Sequence, residues 1–571
     1  MDDNRIHFEV FARRTGGSSF NLEFANENRD RALEMAEELL ESGRFGSVKV
    51  SKETMDPETG EFKSIVIFSK GGAEKPKKKL KPVEQAPLCV GPADLYTIHA
   101  RDRIGRLLQD WLNRQRATPF ELLHRPDLIE KLEASGVELQ HAVQKVAVPE
   151  AQVTGASVHE IIRRFQDLIQ RAVDRVMGDA RKGLFLTVTP SDFAAICEGL
   201  VDDPNRFYLL GVAVAGYVGV ARDWSDKVGR LLDLTDAAPV KGPGRYLALN
   251  IIEQPLGEIL RSRVGLAELL GPELDFGASL GALARLAHTA TIEVVGAADA
   301  NVARLIPRLK GPAERLGACM SGSNFEGVRQ AVSQRILSEL SARRRLRPSD
   351  ARGEIEILRA LAIALTAAAG RILPLEDVRS AFVERSQMMV ATEFVDAYLS
   401  KSSTAMQEAL DLIWLLENVT GAANKRQAIR WLVATVGSLR FESEALGGAH
   451  STPSARLLHM AQVYRESARA GEDIAGIGEV LQRLSDLGGR IEAENKIVAL
   501  IGKSRAPAIQ KLTALLKMAA GETAPPGAAA DRARASALKL AAQPQLRSII
   551  ADEPEALLRL RRLLGSLAPA A

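Results

Sequence analysis

Hydrophobic and polar residues alternate over 6–24 and 48–67, with the period of two that is typical of β-strands. Between these stretches, apolar residues recur at helical spacing over 29–41, with Asn28 as the helix cap and Gly43 as the stop. The pattern predicts two strand hairpins separated by one helix. We therefore expect a small N-terminal α+β domain in the order ββαββ.

From residue 92 onward, apolar residues recur at the spacing of amphipathic helices. Thr118-Pro119, Thr189-Pro190 and Thr452-Pro453 each resemble a helix start, with a capping threonine before a first-turn proline. No fixed repeat of about 34 to 45 residues is detectable. The sequence predicts a mainly α protein, in which the α+β domain is tethered to a large irregular all-helical body that is either a bundle or solenoid-like.

Composition suggests where these parts divide. Residues 70–91 are rich in lysine and proline and cannot bury apolar surface, which is typical of a solvated linker. The helical pattern pauses near Pro239, and an Ala/Pro-rich stretch follows residue 519. The predicted segments, in chain order, are an α+β domain (1–69), a Lys/Pro-rich linker (70–91), a helical domain (92–238), a second helical domain (239–519), an Ala/Pro linker (520–530) and a C-terminal helical tail (531–571).

Bulk composition narrows the class of protein. The 571 residues carry a net charge of +3, which gives no electrostatic argument for a dedicated nucleic-acid-binding protein. The three cysteines are widely separated and form no disulfide framework. The acidic N-terminus does not resemble a secretory signal, and the longest apolar run, 207–221, is shorter than the roughly 20 residues that a membrane span needs. We expect a cytoplasmic protein without a transmembrane segment.

Within that apolar run, Gly211, Ala215 and Gly219 recur every fourth residue. Small residues at this spacing let two helices approach closely. In a chain without membrane spans, this pattern favours a central buried helix; a helix that docks on a partner or adheres to a membrane is the alternative.

Two Glu-x-x-His pairs provide weak candidates for a metal site: Glu121 with His124, and Glu138 with His141. Side chains one helical turn apart project together, and helical bundles build di-iron sites in this way. No partner glutamates lie on evident long helices beside them, so a structural role is the simpler interpretation. The stretches at His159-Glu160 and at 501–504 only partly match zinc and phosphate-binding motifs. We predict no cofactor and no catalytic residue.

Several basic or glycine-rich stretches are candidates for binding anions or partners. Lys241, Gly242, Gly244 and Arg245 precede a predicted helix, whose N-terminus favours anions, although a turn between helices is the simpler interpretation. Three basic clusters could instead be solvated surface. Their members are Lys77, Lys78 and Lys79 in the linker, Arg343, Arg344 and Arg345 near a helix end, and Arg559, Arg561 and Arg562 in the tail. No aromatic residues interleave with these clusters to stack nucleic-acid bases.

These observations favour a non-enzymatic, cytoplasmic scaffold or regulatory protein that binds other proteins, with the α+β domain as a docking module. An alternative is a helical enzyme whose site assembles from dispersed residues, with Glu121, His124, Glu138, His141 and His159 as the groups available. A third possibility is weak association with an anionic surface, either nucleic acid or membrane, through the basic linker and tail.

Overall fold

The computed structural model describes residues 6–14, 20–55, 62–71, 89–271, 274–322, 324–447 and 451–543. The chain separates into two compact units, Met1–Leu88 and Cys89–Ala571. We call the first unit the head and the second the helical body. Most of the predicted lysine-rich linker, including Lys77, Lys78 and Lys79, lies outside the described residues, as do Arg559, Arg561 and Arg562.

The head contains an antiparallel four-stranded sheet in the order β2-β1-β3-β4, with one helix. Its elements are β1 (Ile6–Arg14), β2 (Asn21–Asn26), α1 (Arg29–Glu41), β3 (Phe45–Met55) and β4 (Phe62–Gly71). Asn28 caps α1 by accepting hydrogen bonds from the amides of Asp30 and Arg31. Ala32 and Ala36 of α1 pack with apolar side chains of β1 and β3 in the small core of the head. The predicted ββαββ domain is confirmed.

The helical body begins with a short 3-10 helix, Pro92–Tyr96. Its α-helices up to the middle of the body are α2 (Ile98–Leu107), α3 (Gln109–Gln115), α4 (Pro119–His124), α5 (Pro126–Ser135), α6 (Val137–Thr154), α7 (Val158–Arg181), α8 (Phe193–Gly199), α9 (Arg206–Gly219), α10 (Trp224–Asp236), α11 (Pro243–Arg261), α12 (Arg263–Leu270), α13 (Phe276–Ala287), α14 (Thr289–Ala298), α15 (Ala300–Leu305) and α16 (Pro312–Ser321).

The remaining helices of the described body are α17 (Glu326–Ser341), α18 (Ala351–Ala367), α19 (Leu375–Met389), α20 (Thr392–Leu399), α21 (Ala405–Asn418), α22 (Ala422–Val436), α23 (Leu439–Gly447), α24 (Pro453–Ala470), α25 (Ile477–Asn495), α26 (Ile497–Lys503), α27 (Ala508–Ala519) and α28 (Ala528–Ala541). The predicted class, a mainly α protein with a small α+β domain, is therefore confirmed. None of the described helices is long and apolar enough to cross a membrane.

From α17 onward the helices stack in two rows. Along one row, α17 contacts α19, α19 contacts α22, α22 contacts α25, and α25 contacts α28. Along the other, α13 contacts α18, α18 contacts α21, and α21 contacts α24. The pairs α21–α22 and α24–α25 connect the rows, and α27 packs against α28 at the end of the stack. Of the two predicted alternatives, this part of the body is solenoid-like, with unequal helix lengths that explain why no sequence repeat is detectable.

The predicted division at Pro239 is not a domain boundary in the structure. Ala238, on one side, and Leu247 and Ala248, on the other, belong to the same core, which continues as far as Ala537. Helices α10 and α11 also contact each other directly across this point. The apolar surface of the two predicted helical domains is therefore buried in one compact unit.

The predicted Ala/Pro linker, 520–530, also packs in the structure. Ala524 and Ala529 are fully buried, and Pro525 lies so close to Gly488 that a Cβ there would collide with its ring. Ser485 donates a hydrogen bond of 2.5 Å to the carbonyl of Pro526. Alanine and proline are compatible with a linker, but here their small side chains let this segment lie directly against α25.

Two of the three predicted helix caps have the expected geometry. Thr118 and Thr452 accept hydrogen bonds from Glu121 N (3.2 Å) and Ala455 N (3.3 Å). The third differs, because α8 begins only at Phe193. There Asp192 accepts a hydrogen bond of 2.7 Å from Thr189 N, so that the preceding residues form a turn rather than the first turn of the helix.

Candidate functional site

Helix α4 carries the first predicted Glu-x-x-His pair and lies in the interior, against α9 and α11. Its Glu121 is fully buried, and its carboxylate forms ion pairs with Lys227 and with Arg125 (3.1 Å). The same carboxylate accepts a hydrogen bond of 3.0 Å from Thr118 N, which completes a capping box. Because two cations and an amide already contact these oxygens, Glu121 is suited to holding helices together rather than to binding a metal.

A second buried ion pair lies beside the first. Arg101 Nε is 2.8 Å from Glu258 Oε1, and both side chains are almost completely buried. Glu258 also accepts a hydrogen bond of 2.8 Å from Phe120 N, at the N-terminus of α4. Burial raises the pKa of the Glu258 carboxyl and lowers that of Arg101, and each partner opposes the change in the other. The Glu121–Lys227 pair connects α4 with α10. The Arg101–Glu258 pair connects α2 with α11, and the hydrogen bond to Phe120 N connects this pair with α4.

His124 is buried among aromatic rings. Its Nδ1 donates a hydrogen bond of 2.7 Å to the carbonyl of Phe120, and its ring centroid is 5.0 Å from that of Tyr96. A Cβ on Gly211 would lie only 2.5 Å from His124 Nε2, so the small residues of α9 allow the close approach of α4. Burial is the main reason that the pKa of His124 falls to about 4. The imidazole is therefore neutral at pH 7.

We expect the helical body to lose stability as the pH falls from about 6.5 to 4, partly because of His124. In that range the unfolded chain binds a proton at this histidine that the folded chain does not bind. Lowering the pH therefore lowers the free energy of unfolding, by a total of roughly 3 kcal/mol for this histidine. The fully buried His288, whose pKa burial also lowers to about 4, adds a similar effect. Urea denaturation at several pH values, followed by tryptophan fluorescence, measures this dependence.

A His124→Gln variant cannot take up this proton and should show a shallower pH dependence than the wild type. The matched control is His459→Gln, on the exposed face of α24, which should leave the dependence unchanged. Identical pH dependence in His124→Gln and the wild type would contradict the prediction.

The structure does not gather the other predicted metal ligands around α4. Glu138, in α6, forms an ion pair of 2.5 Å with Arg114, and both side chains are partly exposed. With His141 it lines an open depression next to Trp111. His159 is exposed on α7. Across the described part of the chain, no group of three or more His, Cys, Asp or Glu residues could hold a metal ion.

The predicted anion site at the start of α11 is occupied by the protein's own groups. A Cβ added to Gly244 would lie 2.7 Å from the carboxyl carbon of Glu198, so this carboxylate already lies against the helix N-terminus. Arg245 donates hydrogen bonds of 3.0 Å to the carbonyl of Pro239 and to Asn324 Oδ1. Lys241 and Gly242 are exposed. The arrangement explains the stretch as an interhelical turn that is held internally.

The arginine cluster after α17 is largely part of the fold. The guanidinium of Arg344 lies 4.2 Å from the ring centroid of Phe276, and Arg345 Nε forms an ion pair of 2.7 Å with Glu354. Arg347 Nε is 3.0 Å from Asp275. Arg343 is exposed. These contacts fix the connection between α17 and α18, a role that the charge pattern does not indicate.

A cleft with a volume of about 640 Å³ lies next to the two buried ion pairs, among α2, α3, α11, α12 and α17. Arg101 and Glu258 lie in its wall, and Trp224 and Leu112 provide apolar surface. Arg261, Arg263 and Arg335 also line it. These three arginines are outside the predicted basic clusters, and the sequence offers no signal that joins Arg335, in α17, to Arg261 and Arg263 at the boundary of α11 and α12.

The head contributes a second surface that sequence patterns do not reveal. Helix α1 packs on one face of the sheet, and on the other face Phe11 pairs across the strands with Leu22 and Lys49. Lys49 Nζ lies 4.8 Å from the ring centroid of Phe11 and 5.2 Å from that of Phe20. We call this surface the aromatic-basic face. It brings aromatic and cationic side chains together, although the linear sequence separates them.

The cleft and the aromatic-basic face are thus two surfaces of the described chain with a chemistry suited to binding. Comparison of the chain with protein-family models, with curated proteins and with solved structures finds no significant match. Functional inference therefore depends on the geometry of these residues.

Proposed function

We propose that the protein is a non-enzymatic scaffold that binds other proteins, with the head as its docking module and the helical body as a support for further contacts. The observation that carries this proposal is the aromatic-basic face of the head. A sheet face that α1 does not cover, and that presents rings, aliphatic side chains and cations together, has the composition of a protein-binding surface.

The apolar part of this face is accessible. Leu22 is 52% exposed, and Val66, which pairs with Ser51 on the same face, is 54% exposed. Phe11 and Phe20 are partly buried beside them. Large apolar side chains on an exposed sheet face lose contact with water when a partner covers them, which favours association.

The charges beside the rings of Phe11 and Phe20 favour an acidic partner, and Glu9, on the same face, lies further along β1 next to His7 (3.3 Å). Arg13 lies 5.2 Å from the ring centroid of Phe20, next to Lys49. Neither cation forms an ion pair with a carboxylate among the described residues of the head. We infer that the face binds a segment of another protein in which carboxylates lie beside apolar side chains. Carboxylates would pair with the cations while the apolar side chains cover the rings.

The helical body supports the scaffold proposal through its architecture. Stacked helix pairs, as from α17 to α28, form extended surfaces on which neighbouring helices can each contribute a contact. The cytoplasmic location remains part of the proposal.

The proposal is tested with the full chain in a charge-reversal experiment. Wild-type protein and an Arg13→Glu/Lys49→Glu variant are used to capture proteins from a nuclease-treated cell extract, and the captured proteins are quantified by mass spectrometry. Acidic segments of proteins that the variant fails to retain are then made as peptides, and their affinity for the purified chains is measured by fluorescence anisotropy. We expect the variant to lose about tenfold or more in affinity.

Lys52→Glu is the matched control, because Lys52 is on the same strand but pairs with Phe8 on the side of the sheet that faces α1. It should change the affinity by less than about twofold. Circular dichroism of all three proteins verifies that the head remains folded. Capture of the same proteins in the same amounts by wild type and double variant would overturn the proposal. In a parallel capture from untreated extract, binding that is seen only without nuclease would overturn it too.

A further inference from the structure

The charges that line the cleft of the helical body are not balanced. Five arginines and three carboxylates line it. At its base Arg101 and Glu258 neutralise each other, and Asp102 is shared between Arg106 (3.1 Å) and Arg261 (3.7 Å). The cleft therefore has an excess of two positive charges, in a concave site where water is partly excluded.

The excess is divided between two places: Asp102 balances only one of Arg106 and Arg261, and Glu339 balances only one of Arg263 and Arg335. Arg263 is exposed at the edge of the cleft and has no ion pair among the described residues of the body. Arg335 donates a hydrogen bond of 2.7 Å to the carbonyl of Leu260 rather than to a carboxylate. Burial lowers the pKa of Arg335; nearby Glu339 raises it and Arg263 lowers it further. A bound anion would relieve the repulsion between these two guanidinium groups.

Apolar side chains form one part of the remaining wall, and polar residues such as Gln109, Gln334 and Ser338 form the rest. Trp224, Leu112, Val328 and Val332 line the apolar part, and Gly257 leaves space in α11. A volume of about 640 Å³ is within the range that holds a small organic ligand. An apolar wall beside paired arginines suits a molecule that has both an anionic group and an apolar or aromatic body.

We propose that this cleft binds a small phosphate monoester, whose phosphate contacts Arg261, Arg263 and Arg335 and whose organic body lies against Trp224 and Val328. A phosphate monoester carries a charge of about −1.5 to −2 at pH 7, which matches the excess of two positive charges. Arginine provides planar pairs of donors that match the oxygens of phosphate. This site is separate from the aromatic-basic face of the head, and its ligand does not depend on the proposed scaffold function.

Isothermal titration of the full chain tests the site with four probes: AMP, phenyl phosphate, phenylmalonate and inorganic phosphate. We expect AMP or phenyl phosphate to bind with a dissociation constant of about 1 mM or lower and to raise the melting temperature. Inorganic phosphate should bind more weakly because it lacks the organic body. Phenylmalonate, a dicarboxylate with an aromatic ring, should also bind more weakly because its geometry differs.

An Arg261→Gln/Arg263→Gln variant should reduce the affinity for the best ester by about tenfold or more, since two exposed donors are lost. The control is Arg343→Gln, an exposed arginine outside the cleft, which should change the affinity by less than about twofold. Absence of binding by both esters would overturn the proposal, as would equal affinity in the cleft variant and the wild type. Equal affinity for phenylmalonate would overturn the assignment to phosphate, and equal affinity for inorganic phosphate would overturn the role of the apolar wall.

Discussion

Replacement of Arg385 by methionine is expected to lower the free energy of unfolding of the helical body by about 3–5 kcal/mol. Arg385 is fully buried in α19, and its guanidinium donates hydrogen bonds to the carbonyls of Leu340 (2.7 Å), Arg344 (2.7 Å) and Glu339 (2.8 Å). These carbonyls belong to the last turn of α17 and the segment after it. Methionine fills a similar volume but leaves three buried acceptors without their donors.

Urea denaturation followed by tryptophan fluorescence measures this effect in the helical body alone, since all four tryptophans lie in that unit. The matched control is Arg379→Met, because Arg379 is exposed on the same helix and should change stability by less than about 0.5 kcal/mol. If Arg385→Met lowers the free energy of unfolding by less than about 1 kcal/mol, water replaces the guanidinium at the end of α17. That result would contradict the role of Arg385 as the donor to these carbonyls.

The second large effect is expected for Glu121→Gln, again about 3–5 kcal/mol. Glutamine can still complete the capping box with Thr118, so the variant removes mainly the negative charge. The ammonium group of Lys227, which is only 2% exposed, is then left without its carboxylate partner. Burial already lowers the pKa of Lys227 and Glu121 opposes this change, so loss of the carboxylate lowers the pKa further.

The sign of the pH dependence follows from this lower pKa. Between the pKa of Lys227 in the folded variant and its value in the unfolded chain, about 10.4, the unfolded state binds more protons. The stability of Glu121→Gln relative to the wild type should therefore improve as the pH rises from 7 towards 10. Urea denaturation at pH 7 and pH 9.5 measures the change.

A double variant, Glu121→Gln/Lys227→Met, should recover part of the loss because no unpaired charge remains. Glu138→Gln provides the control, since Glu138 takes part in a partly exposed ion pair and should cost less than about 1 kcal/mol. The loss in free energy of unfolding is compared with the losses in Glu121→Gln and in Lys227→Met. If the loss in the double variant equals the sum of the two single losses, the two groups do not interact as the structure indicates.

Much of the local structure can be read directly from the sequence. The apolar periodicity that marks β1 and α1 depends on residues only a few positions apart. Capping is equally local, because Asn28 and Thr452 accept hydrogen bonds from amides two or three residues away. Composition alone misleads where the same residues suit two environments. The alanines and prolines after residue 519 are typical of a linker, yet their small size also allows close packing against α25.

The candidate sites depend on contacts between residues that are far apart in the chain. Glu121 meets Lys227 across 106 positions. The sequence shows that Glu121 and His124 lie on one helical face. Only the packing of the helices determines that Glu121 contacts cations and that His124 contacts aromatic rings. The pattern of charges likewise draws attention to Arg343–Arg345, whereas the cleft is completed only when Arg335 meets Arg261 and Arg263 from about 70 positions further along the chain.

The sequence by itself determined the small ββαββ domain, the helical character of the rest and the helix caps at Asn28, Thr118 and Thr452, because hydrophobic periodicity and capping act over a few residues. The tertiary structure decided that the helices from 89 to 543 share one unit, that α17 to α28 stack in two rows, and which charged groups are buried in pairs. It also assembled the aromatic-basic face and the arginine-lined cleft. Long-range packing chooses these partners, and local periodicity carries no information about which helix faces meet.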